Sequence, residues 1–207
     1  QSKLIDEDRV VNQLHWGGGT PTFISMDQMS ELMDFTRSHF SLRDDDEGEY
    51  SIELDPRECD VDTIALLREL GFNRISLGVQ DFEPEVQKSV NRIQTEEETF
   101  SIIDAARNEG FKSISLDLIY GLPKQTAESF QRTLDKVISM QPDRLSIFNY
   151  AHMPDRFKVQ KQINETELPD AATKLTIFQN NISALTKAGY VYIGMDHFAK
   201  PDDELAI

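Results

Sequence analysis

Three polar side chains occupy alternate positions in segments of the sequence that are otherwise typical of buried β-strands. Glu53, Gln80 and Asp117 each fall on the strand face opposite the apolar residues. Successive side chains of a strand point to opposite faces, and parallel sheets carry their sites at the carboxyl ends of the strands. The sequence therefore predicts that the three groups converge on one ligand cavity. The alternative is a packed barrel in which neighbours satisfy them, since burying a carboxylate without a partner is costly.

A run of three glycines follows the first predicted strand, within the segment WGGGTPT at 16–22. Backbone without side chains lets a ligand approach closely. The run is neither a phosphate-binding P-loop nor a G-x-G-x-x-G motif, so a flexible turn is the alternative to a ligand contact. The same choice applies to the loop at 120–126. Arg92 can either pair its guanidinium with a carboxylate or lie on the surface.

Cysteine and histidine usage argues against a metal centre built from this chain. Cys59 is the single cysteine, so this sequence alone supplies neither a disulfide nor a cysteine-held zinc or iron–sulfur site. The four histidines lack the spacing of metal ligands, although His152 and His197 follow predicted strands and are candidates to face the cavity. We interpret Cys59 as an incidental thiol and assign no catalytic residue.

The composition indicates an acidic globular protein. The 207 residues include 21 Lys and Arg against 37 Asp and Glu, which gives a net charge of −16. Such acidity disfavours nucleic acid and anionic membranes as partners, because both bind basic surfaces. No run reaches the ~18 apolar residues of a membrane span, and residues 1–7 do not resemble a secretory signal. We therefore expect a cytoplasmic protein with no nucleic-acid or membrane partner.

The hydrophobic pattern predicts strands that alternate with helices. Strands are predicted at 10–16, 50–54, 73–79, 113–119, 144–149 and 190–194. Helices are predicted after capping boxes that start at Ser25 and Thr95, and over 61–70, 127–140 and 170–187.

Several of these helices end in the same way. Gly71, Gly110 and Gly189 each stop a helix just before an aromatic residue, at near-regular spacing, and Pro142 takes that role in between. Repeated β-α units of this kind predict an α/β fold with a parallel sheet, either open or closed into a full or partial barrel. The acidic segment 44–48 is predicted to be a solvated loop.

Five segments, taken together, resemble a known enzyme family. They are GGGTP at 17–21, SIELDP at 51–56, NRISLGVQDF at 73–82, VNR at 90–92 and DLIYGLP at 117–123. In this order and at this spacing, they resemble the radical S-adenosylmethionine (SAM) enzymes of the coproporphyrinogen oxidase type. Each segment alone is a weak signal, but the series runs through essentially the whole chain.

The resemblance implies a fold, cofactors and binding residues. The family folds as a partial (β/α)6 barrel and binds a [4Fe–4S] cluster and two SAM molecules. By position, Gly18 and Glu53 match residues that hold the cluster-bound SAM. The residues that match the surroundings of the second SAM are Gly19, Thr20, Gln80, Arg92, Asp117 and Ala151. Glycine backbone can pack against the methionine moiety, and arginine can pair with its carboxylate.

The resemblance also implies a reaction, the oxygen-independent oxidative decarboxylation of two propionates of coproporphyrinogen III to give protoporphyrinogen IX. This is a step of heme and porphyrin biosynthesis that uses a 5′-deoxyadenosyl radical. The implied partners are the porphyrinogen substrate and an electron donor for the iron–sulfur cluster. A full-length member is expected to be a monomer.

A related subgroup, the heme chaperones, shares most of these segments and is the alternative function. Three further segments favour the oxidase branch, namely HW at 15–16, FNYAHMP at 148–154 and GMDHFAKPDDELA at 194–206. A non-catalytic binding or regulatory piece is a third hypothesis.

The sequence departs from the family at the iron–sulfur cluster. The family's ligands lie in a C-x-x-x-C-x-x-C loop after the first barrel strand, upstream of the glycine run, and no residue here matches them. We therefore expect residues 1–207 to form an incomplete radical SAM core domain, from the second barrel strand to the end of the barrel. We expect this chain alone to be inactive.

Overall fold

The structure is a computed structural model that describes residues 9–207. Its strands are β1 (Val10–Val11), β2 (Gln13–Trp16), β3 (Ser41–Leu42), β4 (Glu49–Leu54), β5 (Arg74–Gln80), β6 (Ser113–Tyr120), β7 (Arg144–Asn149), β8 (Val191–Gly194) and β9 (His197–Ala199). Its helices are α1 (Met26–His39), α2 (Val61–Glu69), α3 (Pro84–Ser89), α4 (Glu96–Asn108), α5 (Ala127–Ser139) and α6 (Ala171–Lys187). The predicted alternation of strands and helices is confirmed. Among the described residues, no helix is long and apolar enough to cross a membrane.

The described residues divide into two compact units. Unit 1 comprises residues 9–78 and Glu98–Ile114, and unit 2 comprises Val79–Glu97 and Ser115–Ile207. In unit 1, β2 pairs with β4 and β4 pairs with β5, both in parallel, and β1 pairs with β3 in a separate parallel pair. In unit 2, β6 pairs with β7 in parallel, and the short strands β9 and β8 follow as antiparallel neighbours.

Strand β4 shows that its polar side chains lie on the less buried face of the sheet. It buries Tyr50, Ile52 and Leu54 and leaves Ser51 and Glu53 on the opposite, more exposed face. Strands β5 and β6 alternate in the same way. One apolar face of each strand therefore builds the core, as the period-two pattern predicted.

Local capping fixes where the helices begin. Ser25 and Gln28 form the predicted capping box of α1, and Thr126 and Ser129 form another at the start of α5. Helix α2 begins where the Asp60 side chain accepts a hydrogen bond from the Thr63 N–H group. These contacts satisfy backbone donors that the first helical turn leaves free.

The structure adds two short strands that the sequence did not predict, β3 and β9. Strands β8 and β9 form a hairpin whose turn residues, Met195 and Asp196, have positive φ angles of 47° and 71°. Two positive φ angles match the twist of a tight hairpin, but such turns are usually signalled by Asn-Gly or Asp-Gly. Met-Asp carries no such signal.

Helix α5 is ended by Gln141, the residue before Pro142. Gln141 adopts the left-handed conformation, with φ of 54°, just after the cap of α5 at Met140. Pro142 therefore follows the turn instead of making it.

The acidic segment 44–48 is only partly solvated. Asp46 accepts two hydrogen bonds from the Arg68 guanidinium, both at 3.0 Å, and one from the Asn73 amide at 3.1 Å. These contacts lower the pKa of Asp46, against the opposing effect of its partial burial. The segment is thus tied to α2 and to the start of β5, and Gly48 within it is buried.

Candidate functional site

Two neighbouring strands of unit 1 place His15, Ser51 and Glu53 on one face of their sheet. His15 of β2 lies directly opposite Ser51 of β4, and Glu53 is two residues further along β4. Residues that are two apart in a strand share a face, so the three side chains can meet. Together with Gly17 and Gly18 of the loop after β2, we call them the Glu53 group.

The His15 imidazole bridges the two side chains of β4. Its Nδ1 lies 2.8 Å from Ser51 Oγ, and its Nε2 lies 3.2 Å from Glu53 Oε1. The other carboxylate oxygen, Glu53 Oε2, accepts a hydrogen bond from the Gly18 N–H group at 3.1 Å. Because Glu53 exposes 48% of its side chain, its remaining lone pairs can accept hydrogen bonds from a ligand.

The glycines of this loop have two different roles. A Cβ atom at Gly17 would collide with His15 Nε2 and lie 2.9 Å from Glu53 Oε1, so the missing side chain makes room for their contact. Gly18 and Gly19 instead have φ angles of 84° and 68°, which glycine adopts without strain. No described atom lies within 4 Å of where their Cβ atoms would be. Their backbone therefore borders open space.

Unit 2 contains an open pocket of about 580 Å³. Its lining includes Gln80, Arg92, Ile119, Leu122, Tyr150 and Gln160. The volume falls within the ~300–1,000 Å³ typical of small-molecule sites, which combine apolar walls with a few polar groups. We call it the Gln80 pocket.

Gln80 reaches this pocket from a strained turn. Its φ is 68°, and across it the Asp81 N–H group donates to the Val79 carbonyl at 2.9 Å. A γ-turn with positive φ at its central residue is rare and strained. Strained backbone persists where its surroundings hold it in place, and it concentrates at functional sites.

A buried carboxylate lies next to that turn. Asp81 is only 2% exposed. It accepts hydrogen bonds from Thr133 Oγ1 and Gln125 Nε2, both at 2.5 Å, and from the Glu83 N–H group at 2.8 Å. Burial raises the pKa of Asp81 above its ordinary value of 3.8, although these hydrogen bonds oppose the shift.

The same contacts extend to the loop after β6. Gln125 Oε1 accepts from the Gly121 and Leu122 N–H groups at 2.6 and 3.0 Å. On the other side, the Gln87 amide donates to the carbonyls of Asp81 and Gln94 at 2.9 and 2.7 Å. We call the buried residues of this system the Asp81 network: Asp81, Gln87, Gln94, Gln125 and Thr133. The network connects the strained turn to a loop that supplies Leu122 to the pocket.

The segment after β7 contributes another wall. Gln160 Nε2 donates to the Ala151 carbonyl at 3.1 Å, and Gln160 Oε1 accepts from the Met153 N–H group at 2.5 Å. His152 lies 3.1 Å from the Tyr150 hydroxyl through Nδ1 and 3.0 Å from Glu165 through Nε2. His152 thus supports a pocket-lining residue.

One row of the unit 2 sheet brings together residues from three strands. Asp117 of β6 lies opposite Ser146 of β7, which lies opposite His197 of β9. Directly opposed residues share a face of the sheet, so His197 faces the same way as Asp117. The sequence did not predict this row because it did not predict β9.

Among the described residues, no group of three or more His, Cys, Asp or Glu side chains is arranged to hold a metal ion. Burial raises the pKa of the Cys59 thiol to about 12, so the thiol stays protonated at neutral pH and is a poor nucleophile and ligand. The residues present do not fit an iron–sulfur cluster.

A family model described as the radical SAM superfamily matches residues 2–137. That stretch is well over half of the 207 residues and includes the Glu53 group. The chain belongs to the radical SAM superfamily.

Several curated relatives of this radical SAM chain are oxygen-independent coproporphyrinogen III oxidases. The chain is 62% identical, over 99% of its length and 45% of the relative's, to the protein of Pseudomonas aeruginosa. The corresponding Escherichia coli protein is 55% identical over 96% of this chain and 43% of its own length. The radical SAM chain therefore spans less than half the length of these curated relatives.

A solved structure gives the same answer for the fold. Coproporphyrinogen III oxidase (HemN) from Escherichia coli, described as a radical SAM enzyme, matches with a TM-score of 0.93 and 55% identity. The match covers 96% of the radical SAM chain and 45% of that structure. The predicted fold class, an α/β fold of the partial (β/α)6 barrel type, is confirmed, as is the resemblance to the coproporphyrinogen oxidase type.

The structure brings some of the predicted site residues of the radical SAM chain together. Gly18 and Glu53 are hydrogen-bonded to each other, and Gln80 and Arg92 line one pocket. Gly19 and Thr20 belong to the glycine loop of unit 1, whereas Asp117 and Ala151 belong to unit 2. The convergence of Glu53 with Gln80 and Asp117 on one cavity stays a prediction.

Sequence reasoning missed the role of His15. The sequence did place His15 in the strand before the glycine run, and a histidine in a strand can contact a side chain of the neighbouring strand. The order of strands in the sheet was needed to show that this neighbour is β4.

Proposed function

We propose that this radical SAM chain binds SAM through two sets of residues. The Glu53 group holds the molecule that the family binds at its iron–sulfur cluster, and the Gln80 pocket holds a second molecule with Arg92, Asp117 and Ala151 nearby. The assignment of Gly19 and Thr20 to the second molecule stays part of the prediction. Residues 1–207 then form part of a radical SAM core domain.

The chemistry of the donors supports this proposal. SAM carries an amino group and ribose hydroxyls, for which Glu53 offers solvent-facing lone pairs. Its carboxylate can pair with a guanidinium such as that of Arg92, which lines the Gln80 pocket beside the apolar Ile119 and Leu122. The observation that carries the proposal is the Gly18 to Glu53 hydrogen bond, because it joins the glycine loop and the carboxylate in one small group.

We further propose that the protein containing this sequence is an oxygen-independent coproporphyrinogen III oxidase. It would convert two propionates of coproporphyrinogen III to the vinyl groups of protoporphyrinogen IX in the cytoplasm, as a monomer. For each propionate, one electron from a donor would cleave one SAM, and one electron would pass to an acceptor as CO₂ leaves. The 62% identity over 99% of this chain to a relative of that name supports it. When cleaved by one electron, bound SAM would supply a 5′-deoxyadenosyl radical and leave methionine, and the residues described here would bind and orient it.

The SAM proposal is tested by isothermal titration of SAM into the full-length protein that contains this chain, after anaerobic reconstitution of its iron–sulfur cluster. We expect two binding events in the wild type, and we expect E53Q to weaken one of them about tenfold, since a charged acceptor is lost. The matched control is E31Q, which changes an exposed glutamate of α1 and should leave both events unchanged. Absence of SAM binding in the wild type would overturn the proposal.

The reaction is tested with the full-length protein after anaerobic reconstitution of its iron–sulfur cluster, with SAM and a one-electron reductant supplied. We expect protoporphyrinogen IX to form from coproporphyrinogen III, with two CO₂ released per product. Tight heme binding without decarboxylation would instead assign the protein to the heme chaperones.

A further inference from the structure

The Glu53 carboxylate is held on both of its oxygens by groups of the same sheet. Oε1 lies 3.2 Å from His15 Nε2, and Oε2 accepts from the Gly18 N–H group at 3.1 Å. His15 is in turn held by Ser51, 2.8 Å from its Nδ1. The carboxylate plane is therefore fixed although the side chain is about half exposed.

The donors and acceptors in the hydrogen bonds that link Ser51, His15 and Glu53 follow from elementary chemistry. An ionised carboxylate only accepts hydrogen bonds, so the proton between His15 and Glu53 belongs to His15 Nε2. In the neutral imidazole, Nδ1 is then an acceptor and receives the Ser51 hydroxyl proton. Ser51 thus donates to His15, and His15 donates to Glu53.

The geometry points to His15 as the positioning residue for Glu53, which aims the free lone pairs of that carboxylate at the bound SAM. This inference rests on the proposed role of Glu53 in SAM binding. His15 itself need not touch the ligand, because its Nε2 already lies 3.2 Å from Glu53 Oε1. Gly17 contributes to the same arrangement by having no side chain, since a Cβ atom there would collide with His15 Nε2.

Two substitutions separate the roles of the two ring nitrogens. In H15Q the side-chain amide can take the place of Nε2 and still donate to Glu53. In H15N the shorter amide can take the place of Nδ1, which keeps the contact with Ser51 and loses the one with Glu53. We expect H15Q to bind SAM within about twofold of the wild type and H15N to bind about tenfold more weakly, since it loses one charge-assisted hydrogen bond.

The matched control is H39N, which changes an exposed histidine of α1 and should leave SAM affinity unchanged. Isothermal titration of SAM into the full-length protein, with its iron–sulfur cluster reconstituted, measures the wild type and the three variants. Equal affinity of H15N and the wild type would overturn the inference, as would an equal loss in H15Q and H15N.

A second measurement does not depend on SAM. Long-range ¹H–¹⁵N correlation spectra of the full-length protein without its cluster should show His15 as the Nε2–H tautomer. The loss of the imidazole ring moves the Gly18 amide resonance in both variants, but the resonance should move further in H15N than in H15Q, because only H15N also loses the contact with Glu53. The Nδ1–H tautomer, or a Gly18 resonance that moves no further in H15N than in H15Q, would contradict the positioning role. If the wild type does not bind SAM while these spectra come out as expected, the proposed function fails and the arrangement of His15 stands.

Discussion

The Glu53 group and the Asp81 network both connect side chains from separate elements, but they differ in exposure. His15 and Glu53 expose 54% and 48% of their side chains. Asp81 is 2% exposed, and the other residues of its network are buried as well. Water can therefore reach the polar atoms of the first region and is largely excluded from those of the second.

This difference in exposure predicts whether a substitution changes folding stability or ligand affinity. A buried polar group that loses its partner costs its full desolvation penalty, whereas water replaces a lost partner at the surface. Substitutions in the Asp81 network should therefore reduce folding stability. Substitutions in the Glu53 group should leave stability nearly unchanged and reduce ligand affinity.

The largest effect is expected for D81A. It removes a carboxylate that accepts from Thr133, Gln125 and Glu83 and leaves buried donors without an acceptor. We expect a loss of ~3 kcal/mol or more in the free energy of unfolding, measured by urea denaturation. E53A is the matched control, since its carboxylate is about half exposed. A similar loss in both variants would remove the distinction between the two regions.

The next effect should appear in binding and not in stability. In G17A the new methyl group displaces the flexible side chains of His15 and Glu53, so we expect SAM to bind about tenfold more weakly at an unchanged urea midpoint. G110A should instead lower the urea midpoint and leave SAM affinity unchanged, because Gly110 has φ of 77° and open space around it. A methyl group in that conformation costs ~1 kcal/mol of stability without touching the Glu53 group.

A smaller effect should appear in the pH dependence of stability. The pKa of Asp81 is raised in the folded protein above its ordinary 3.8. Its contribution to stability is therefore fully present below about pH 3.8 and is lost as the pH rises through the folded pKa. The unfolding free energy of the wild type minus that of D81N should fall between about pH 4 and the folded pKa. A difference that rises over this range would mean that the hydrogen bonds to the carboxylate outweigh its desolvation.

The face of each strand that carries the site was predictable from the sequence, because a strand buried on one face has a strict period of two. Glu53, Gln80 and Asp117 were placed on the less buried faces of β4, β5 and β6 by this rule alone, and the structure agrees. The rule also placed Glu53 and Gln80 toward a ligand cavity, and the motif resemblance is what implies that this ligand is SAM.

Contacts that depend on register or on unusual backbone were not predictable. His15 meets Ser51 and Glu53 only because β2 and β4 are neighbours with that register. The turn at Gln80 has a positive φ in a residue other than glycine, which no local pattern signals. Asp81 was visible only as part of a motif, and its burial depends on Thr133 and Gln125, more than 40 residues away in the chain.

The smallest effect should come from the exposed edge of the Asp81 network. Arg132 and Thr133 are consecutive in α5, but the Arg132 guanidinium pairs with Glu83 at 2.7 Å while 57% exposed, and Thr133 donates to Asp81 while fully buried. R132A should shift the urea midpoint slightly at low salt and not at 0.5 M NaCl, since salt screens exposed pairs. T133V keeps the shape of the side chain and removes a buried donor, so we expect a loss of ~1–2 kcal/mol at both salt concentrations. Equal changes in the urea midpoint of R132A and T133V, with the same salt dependence, would mean that burial does not decide how much each hydrogen bond contributes to stability.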